Sequence, residues 1–200
     1  MSTLLKALGL LSYDKYIEKF EDWVKTGKTS SLNPTPAYIE YIKLNFARTQ
    51  RIHKTVVINA ALRDAALQLH NKYTWIVITE AWCGDSAQNL PVIAELAKLN
   101  PEKISLHIIL RDENPEMMNN YLTNGARAIP KLICINETMG SDAFVWGPRP
   151  APAQALLTNW KQNPNGKTWE DFERELHGWY GKDKTVTLQA ELLTILQNLM

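Results

Sequence analysis

Residues Tyr73–Thr79 form an unbroken run of β-branched and aromatic side chains, and this run limits the fold more than any other segment. It is too short for a typical helix and apolar enough for a strand that is covered on both faces. Three more strands are predicted, at residues 104–110, 131–135 and 143–146. Helical patterns lie between or after these strands, at residues 86–99, 114–125 and 151–160. The predicted order is therefore β-α-β-α-β-β-α, which is typical of an α/β domain.

The connections between the predicted strands limit how they pair. The segment 136–142 is too short for a crossover helix, so the third and fourth strands should be antiparallel. If the first two strands are parallel, the helix joining them makes a right-handed crossover. Further helices are predicted before and after the core, with the N-caps Ser12, Thr35, Asn59, Thr168 and Thr187. We expect one compact unit, made of a helical N-terminal extension (1–69), a core domain (70–162) and C-terminal helices (163–200).

Composition and charge exclude several classes of protein. Lys and Arg number 22 and Asp and Glu 21, a formal charge of 22 − 21 = +1, which argues against a nucleic-acid binder with a phosphate-neutralising surface. The two cysteines, Cys83 and Cys134, are 134 − 83 = 51 positions apart and cannot form a disulfide framework or a four-cysteine metal site. We expect no metal and no cofactor.

The sequence carries no sign of a membrane segment. No apolar run approaches the ~18 residues that a membrane-spanning helix needs. Lys6 interrupts the N-terminal apolar stretch, and the residues from Ser12 onward lack the small-residue cleavage signature of a signal peptide. We therefore expect no membrane partner and a location in the reducing cytoplasm, where an isolated cysteine stays a thiol.

Cys83 is the candidate for chemistry, because it lies between the end of the first predicted strand and the start of a helix. Unpaired backbone N–H groups and the positive end of the helix dipole at such a position favour thiolate over thiol. Gly84 lets the backbone turn tightly and leaves the sulfur accessible. The alternative is a small buried apolar residue, the usual fate of a free cysteine. The position at a strand–helix junction favours the reactive thiol.

The residues Trp82-Cys83-Gly84-Asp85-Ser86 resemble the Trp-Cys-Gly-Pro-Cys site of thioredoxins. Ala128-Ile129-Pro130, just before a strand, resembles the Ile-Pro of thioredoxins, in which the proline is cis and faces that site. The longer segment from Leu110 to Ile133 is similar to a bacterial thioredoxin-like branch with Cys-Gly-Asp-Cys or Cys-Gly-Asp-Ser sites. The resemblance covers about residues 73–160. It implies a thioredoxin-like mixed sheet, to which N- and C-terminal helices have been added.

Two departures from the thioredoxin pattern limit the chemistry. Ser86 occupies the position of the second cysteine, and a hydroxyl cannot resolve a mixed disulfide. Val77 occupies the position of the buried acid that the resemblance would place six residues before the first cysteine. These departures argue against a dithiol disulfide reductase. Asp85 stands in place of the proline. A carboxylate is favourable at a helix N-terminus, but close to the sulfur it raises the pKa of the thiol. Simple capping of the first helical turn by Asp85 and Ser86 is an equally good interpretation of these two residues.

The resemblance also implies a surface for substrate. Ile129 would offer its backbone N–H and C=O to an extended substrate, and Trp82, Ile129 and Pro130 would form an apolar docking surface around the Cys83 sulfur, beside Gly84 and Asp85. Core packing is the competing interpretation of Trp82. Cys134 lies four residues beyond Pro130, more than about 10 Å along the strand, whereas a disulfide needs Cα atoms within about 7 Å. We interpret it as a core residue.

Other polar residues give weaker indications. Arg111, Arg127 and Arg149 flank the predicted site in sequence, and one of them could hold the carboxylate of a low-molecular-weight thiol such as glutathione. Arginines in solvated loops are the commoner outcome, so none is assigned. The four histidines have no metal-ligand spacing and none neighbours Cys83 in sequence, so a Cys–His pair is not predicted.

Three functions remain open. The leading hypothesis is a cytoplasmic monothiol protein of redox homeostasis, in which Cys83 attacks a protein disulfide or accepts a low-molecular-weight thiol, and a second molecule's thiol releases it. The alternative is a catalytically degenerate thioredoxin-fold module that binds a peptide or partner protein. A third hypothesis is peroxide sensing through a sulfenic acid at Cys83.

Overall fold

The computed structural model describes residues 9–200, so residues 1–8, which belong to the stretch considered above as a signal peptide, lie outside it. Its strands are β1 (Tyr73–Thr79), β2 (Ile104–Leu110), β3 (Lys131–Asn136) and β4 (Ser141–Trp146). They form one sheet in the order β2-β1-β3-β4. β1 is parallel to β2 and antiparallel to β3, and β3 is antiparallel to β4. The expected mixed α/β sheet and its antiparallel third and fourth strands are confirmed.

The helices are α1 (Tyr13–Thr26), α2 (Pro36–Thr55), α3 (Ala60–Leu67), α4 (Gly84–Lys98), α5 (Pro115–Asn119), α6 (Ala151–Gln162), α7 (Trp169–Asp183) and α8 (Val186–Gln197). Four of the five predicted N-caps are confirmed, because each side chain accepts a backbone N–H of the first turn; these are Ser12, Thr35, Asn59 and Thr168. The prediction of Thr187 as a cap is wrong. Lys184 and Thr185 have left-handed backbones (φ 50° and 70°), so α8 starts before Thr187, whose N–H and hydroxyl instead bond Asp183.

The central strand β1 is buried on both faces, as its composition predicts. Trp75 and Val77 join a large apolar cluster on one side of the sheet, formed with α1, α3, α4 and α8. Ile76 and Ile78 join a smaller cluster on the other side, which includes Cys83. Each such side chain contributes about 1.5–3 kcal/mol when it is fully removed from water. The end of β1, where Cys83 follows, is therefore held by packing on two faces.

The added helices do more than cover the sheet. α2 packs against α4, α3 against α8, and α6 against α7. A third apolar cluster between α6 and α7, which includes Leu157 and Phe172, extends to Tyr180. This packing holds α7 beside the first turn of α4. None of the helices in the described part of the chain is both long and apolar enough to span a membrane.

Candidate functional site

Cys83 is the N-cap of α4 and closes the tight turn that follows β1. Its backbone N–H donates to the Glu80 carbonyl at 3.1 Å, and its own carbonyl accepts the Ala87 N–H at 3.2 Å. The Sγ donates to the Ile129 carbonyl at 3.3 Å, and the Ile129–Pro130 peptide bond is cis. The fold thus brings together two segments that the sequence singled out separately. Cys83 as a whole is 8% exposed.

The expectation that this position favours the thiolate is wrong. Burial is the largest influence on the Cys83 thiol, the nearby Asp85 carboxylate adds to it, and together they raise its pKa to about 11. Hydrogen bonding by Ser86 and the positive charge of Arg149 act in the opposite direction and do not compensate. Desolvation of a buried thiolate therefore outweighs the favourable helix N-terminus.

Asp85 and Ser86 are buried, and first-turn capping does not describe them, because Cys83 is the N-cap and the Asp85 carboxylate bonds side chains from elsewhere in the chain. The Asp85 carboxylate forms an ion pair with Arg149 at 2.7 Å and accepts a hydrogen bond from the Tyr180 hydroxyl at 2.8 Å. Burial nevertheless raises the pKa of Asp85. Apart from the Cys83 sulfur, the Ser86 hydroxyl has no hydrogen-bond partner among residues 9–200, so it is free to donate to a Cys83 thiolate.

Arg149 is not the solvated loop residue that the sequence favours. Its side chain is largely buried, since it leaves the loop after β4 and turns toward Asp85. Arg111 pairs with Asp112 at 2.8 Å, and its guanidinium lies 4.6 Å above the ring of Trp82. Arg127 is exposed and donates to the Asn119 side chain at 2.9 Å. The three arginines therefore have different partners but surround one space.

That space is a cleft of about 340 Å³ beside the thiol. Of the seven residues predicted for the site, five line it, namely Trp82, Cys83, Gly84, Asp85 and Ile129. Pro130 and Ser86 are buried behind it. Its outer walls come from α2 and α7, through residues such as Tyr38, Tyr41, Glu173 and His177.

The apolar docking surface expected around the sulfur lies within a cleft that has walls from two helices. Tyr38 of α2 stacks on Trp82 with the ring centroids 4.7 Å apart, while Arg111 lies over the same indole. Trp82 thus belongs both to the wall of the cleft and to the core, because it also packs against the two apolar clusters of the sheet. The Ile129 carbonyl, expected to receive a substrate, is already used by the Cys83 thiol.

Sequence reasoning missed His177 because 177 − 83 = 94 positions separate it from Cys83. A Cβ placed on Gly84 would lie 2.7 Å from its Nε2 atom, so the imidazole packs directly against the residue that follows the thiol. Burial and the positive charges of Arg48, Arg149 and Arg51 lower the pKa of His177 to about 3, which keeps the ring neutral. No signal in the sequence of α7 indicates which helix its polar side chains would meet.

Glu80 is a second residue that the sequence did not identify. Its carboxylate is fully buried and accepts hydrogen bonds from the Ser30 hydroxyl and, at 2.9 Å, from the Asp112 N–H. Burial raises its pKa to about 7. The resemblance pointed to an acid at position 77, whereas this chain has a buried acid three residues before Cys83. A glutamate in a turn between two apolar elements was the available signal.

Within residues 9–200, no three His, Cys, Asp or Glu side chains are grouped in a way that could hold a metal ion. The acceptor and donor groups of the cleft suit hydrogen bonding and ion pairing with an organic ligand instead. They are the guanidinium groups of Arg111 and Arg127, the Glu173 carboxylate, and the hydroxyls of Tyr38 and Tyr41.

A mixed four-stranded sheet, with a cysteine at the start of the helix after its central strand and an Ile-Pro segment opposite, defines a thioredoxin-like protein. A family model described as thioredoxin matches residues 32–161, and the chain belongs to this family. The matched region starts before α2 and so includes helices that the sequence resemblance, from about residue 73, did not cover. The thioredoxin-like fold class predicted from the sequence is confirmed.

Two solved structures share the fold over nearly the whole chain. A protein of unknown function from Pseudomonas aeruginosa is 19% identical with a TM-score of 0.55, and the alignment covers 95% of this chain and 99% of that one. An HIV epitope scaffold is 20% identical with a TM-score of 0.52, covering 94% and 99% of the two chains. These likenesses concern the fold alone. No curated protein matches the chain.

Proposed function

We propose that the protein is a single-thiol member of the thioredoxin family, which exchanges disulfides through Cys83 with a small anionic thiol compound. The observation that carries the proposal is the position of the Cys83 sulfur in the wall of a cleft that also contains the arginines Arg111 and Arg127. Both cysteines are free thiols, and Cys134 is fully buried in β3. Any exchange therefore uses one thiol of this chain.

The reaction is an ordinary thiol–disulfide exchange. The Cys83 thiolate attacks one sulfur of a disulfide R–S–S–R′, the bond between the two substrate sulfurs breaks, and R′–S⁻ leaves with the electron pair and takes a proton from water. A second thiol then attacks the mixed disulfide at the sulfur of R and releases Cys83. The Ser86 hydroxyl is the group that would donate a hydrogen bond to the Cys83 thiolate in both steps.

The size and charge of the cleft favour a small ligand over a protein disulfide. A volume of about 340 Å³ lies within the range of roughly 300–1,000 Å³ for small-molecule sites. Asp85 is neutralised by Arg149, whereas Arg127 has only the Asn119 amide as a side-chain partner among the described residues. A carboxylate on the ligand would complete its hydrogen bonding. α2 and α7 also narrow the approach of an extended chain.

The raised thiol pKa determines how fast such an exchange would run. With a pKa of about 11, roughly one Cys83 thiol in ten thousand is ionised at pH 7. Exchange is then slow unless the leaving thiol is a good one. The same observation favours a second candidate function, a degenerate site in which the cleft binds a ligand or partner without covalent chemistry.

The two functions are separated by trapping. The protein is incubated with oxidised glutathione, which carries carboxylates, or with cystamine, a small cationic disulfide, and peptide mapping locates any adduct. We expect glutathione on Cys83, absent in Cys83→Ser, and a several-fold slower reaction in Arg127→Gln with oxidised glutathione but not with cystamine. If no adduct forms on Cys83 while glutathione still binds, the cleft is a binding site only. If neither occurs, both candidates fail for this ligand class.

Three further parts belong to the same proposal. The chain would lie in the bacterial branch of the family that has a Cys-Gly-Asp-Ser type site. It would act in a reducing compartment such as the cytoplasm, because a lone site thiol persists only there. The core at 70–162 and its two helical extensions would fold as one unit, which the packing of α2 on α4 and of α3 on α8 supports.

A further inference from the structure

A second and larger cavity lies one turn further along α4 than the Cys83 cleft. Its volume is about 620 Å³, and it is enclosed by the end of α2, by α4, and by the turn between α7 and α8. It shares no lining residue with the Cys83 cleft. The two spaces are separated by the helix turn that carries Asp85, Gln88 and Asn89.

The walls of this second cavity are mostly apolar. Ile52 and Leu188 are buried core residues that reach its surface. Val57 and Val186 stand at its rim and are 80% and 66% exposed, which is high for valine. A ligand that covered these side chains would gain the free energy of removing their apolar surface from water. The walls therefore suit a ligand with an apolar body.

The floor of the second cavity is polar and buried. Asn89 is 1% exposed, and its Nδ2 donates to the Asp85 carbonyl at 2.8 Å and to the Tyr180 hydroxyl at 3.1 Å. Both amide hydrogens are thus used, while within the described part of the chain nothing donates to its Oδ1. This oxygen could therefore accept a hydrogen bond from a ligand hydroxyl or N–H.

The charges around the second cavity favour an anion. Arg51 and Lys184 line it, and neither has a carboxylate partner among residues 9–200. Asp183 also lines it, but its carboxylate accepts hydrogen bonds from the N–H and hydroxyl of Thr187 at the start of α8. Arg48 and Arg149 lie close enough to add to the positive potential at His177, beside this turn of α4. Two of the three charged residues that line the cavity are positive, so an acidic group on the ligand would meet a net positive charge.

We propose that this cavity binds a small organic acid with an apolar body and that its occupancy is coupled to the Cys83 thiol through Tyr180. Tyr180 lines the second cavity, and its hydroxyl donates to Asp85, which lines the Cys83 cleft. A ligand that draws this hydroxyl toward itself leaves the Asp85 carboxylate less compensated. The negative charge near Cys83 then acts more strongly, and the thiolate becomes less favourable. The coupling needs only binding and thiol ionisation, so it does not depend on the disulfide exchange proposed above.

The site is tested with 8-anilinonaphthalene-1-sulfonate, an apolar fluorescent anion, and its displacement by decanoate. We expect Val57→Glu to weaken binding of both probes at least tenfold, because it puts a negative charge at the rim. Met139→Glu is the matched control, since Met139 is an exposed apolar residue on the turn between β3 and β4. Binding that survives Val57→Glu unchanged, or that Met139→Glu weakens equally, overturns the site.

The coupling is tested by the rate at which iodoacetamide modifies Cys83 at pH 9. Saturating decanoate should slow the reaction at least threefold in the wild-type protein. In Tyr180→Phe, which lacks the hydroxyl, decanoate should still displace the fluorescent anion but should leave the rate unchanged. An equal rate with and without decanoate in the wild type, or an undiminished effect in Tyr180→Phe, overturns the coupling. Because coupling between two sites acts in both directions, protein alkylated at Cys83 should bind decanoate with an altered affinity.

Discussion

The Tyr180 hydroxyl donates a 2.8 Å hydrogen bond to the carboxylate of Asp85, 95 residues away in sequence and two residues after Cys83. Arg149 holds the other oxygen of the same carboxylate at 2.7 Å. Asp85 is thus fixed by one residue from the loop after β4 and one from α7, which lies outside the sheet. The added C-terminal helices therefore contribute to the electrostatic environment of the thiol.

Alkylation of Cys83 should follow a titration near pH 11, well above the ordinary ~8.5 of a cysteine. Burial and Asp85 keep the thiol protonated, so about one molecule in a thousand is ionised at pH 8. The measurement is the rate at which iodoacetamide alkylates Cys83 across pH 7–11. Peptide mapping distinguishes alkylation of Cys83 from alkylation of Cys134. The control is the same measurement on the protein unfolded in urea, where the pKa of Cys83 should return to the ordinary value of about 8.5. An inflection at or below pH 8.5 in the folded protein would show that the thiol is activated.

Asp85→Asn should lower the pKa of Cys83, since it removes a carboxylate that raises it and leaves Arg149 uncompensated. A shift of one pKa unit makes alkylation roughly ten times faster at pH 8. The unpaired Arg149 should also cost on the order of 3–5 kcal/mol of stability. The control is Asp14→Asn, an exposed acid in the first turn of α1, which should change neither quantity. An unchanged alkylation rate in Asp85→Asn contradicts the assigned electrostatics.

Gly84→Ala should destabilise the protein by about 1–3 kcal/mol, because the new Cβ would lie 2.7 Å and 2.8 Å from the Nε2 and Cε1 atoms of His177. In a His177→Ala background the same substitution should be close to neutral, and a double-mutant cycle from urea unfolding measures the coupling. Gly181→Ala is the matched control. No atom lies within 4 Å of its added methyl, so it should stabilise α7 by about 0.5–1 kcal/mol. Strict additivity of Gly84→Ala and His177→Ala would refute the contact.

Glu80→Gln should remove a pH dependence of stability between about pH 4.5 and 7. Burial raises the pKa of Glu80 from 4.5 in the unfolded chain to about 7, so the folded protein binds the extra proton in this window and wild-type stability falls as pH rises. The shift corresponds to about 3 kcal/mol. Urea unfolding at pH 5 and pH 8 measures it. The exposed residue Glu102 provides the control, Glu102→Gln, which should keep the wild-type slope. If Glu80→Gln keeps the wild-type dependence of stability on pH, the group that titrates in this window is not Glu80.

The elements of this fold were predictable because they depend on neighbours in sequence. The run Tyr73–Thr79 became the central strand, and the caps Ser12, Thr35, Asn59 and Thr168 start helices as expected. The antiparallel pairing of β3 and β4 followed from the short connection alone. Thr187 shows the limit of this reasoning, since a left-handed turn at 184–185 moved the helix start and no pattern of residue types indicated that turn.

The candidate site was predictable only in part. The Cys83 and Ile129 segments were recognised by their residue types and order, and the structure joins them through the thiol and a carbonyl. His177, Tyr180 and Glu80 were missed, because a histidine, a tyrosine or a glutamate in isolation gives no indication of what it will contact. Arg149 was expected in solvent for the same reason.

The sequence alone determined that Cys83 has no second cysteine in its motif, because Ser86 stands where that cysteine would be. It also determined the strand–helix junction on which that thiol lies. Only the tertiary structure decided the state of the thiol. Its pKa depends on burial and on the charges that the packing of α7 and the loop after β4 bring close to it. Desolvation and Coulomb interactions depend on distances in space, and the order of residues does not specify them until the chain is folded.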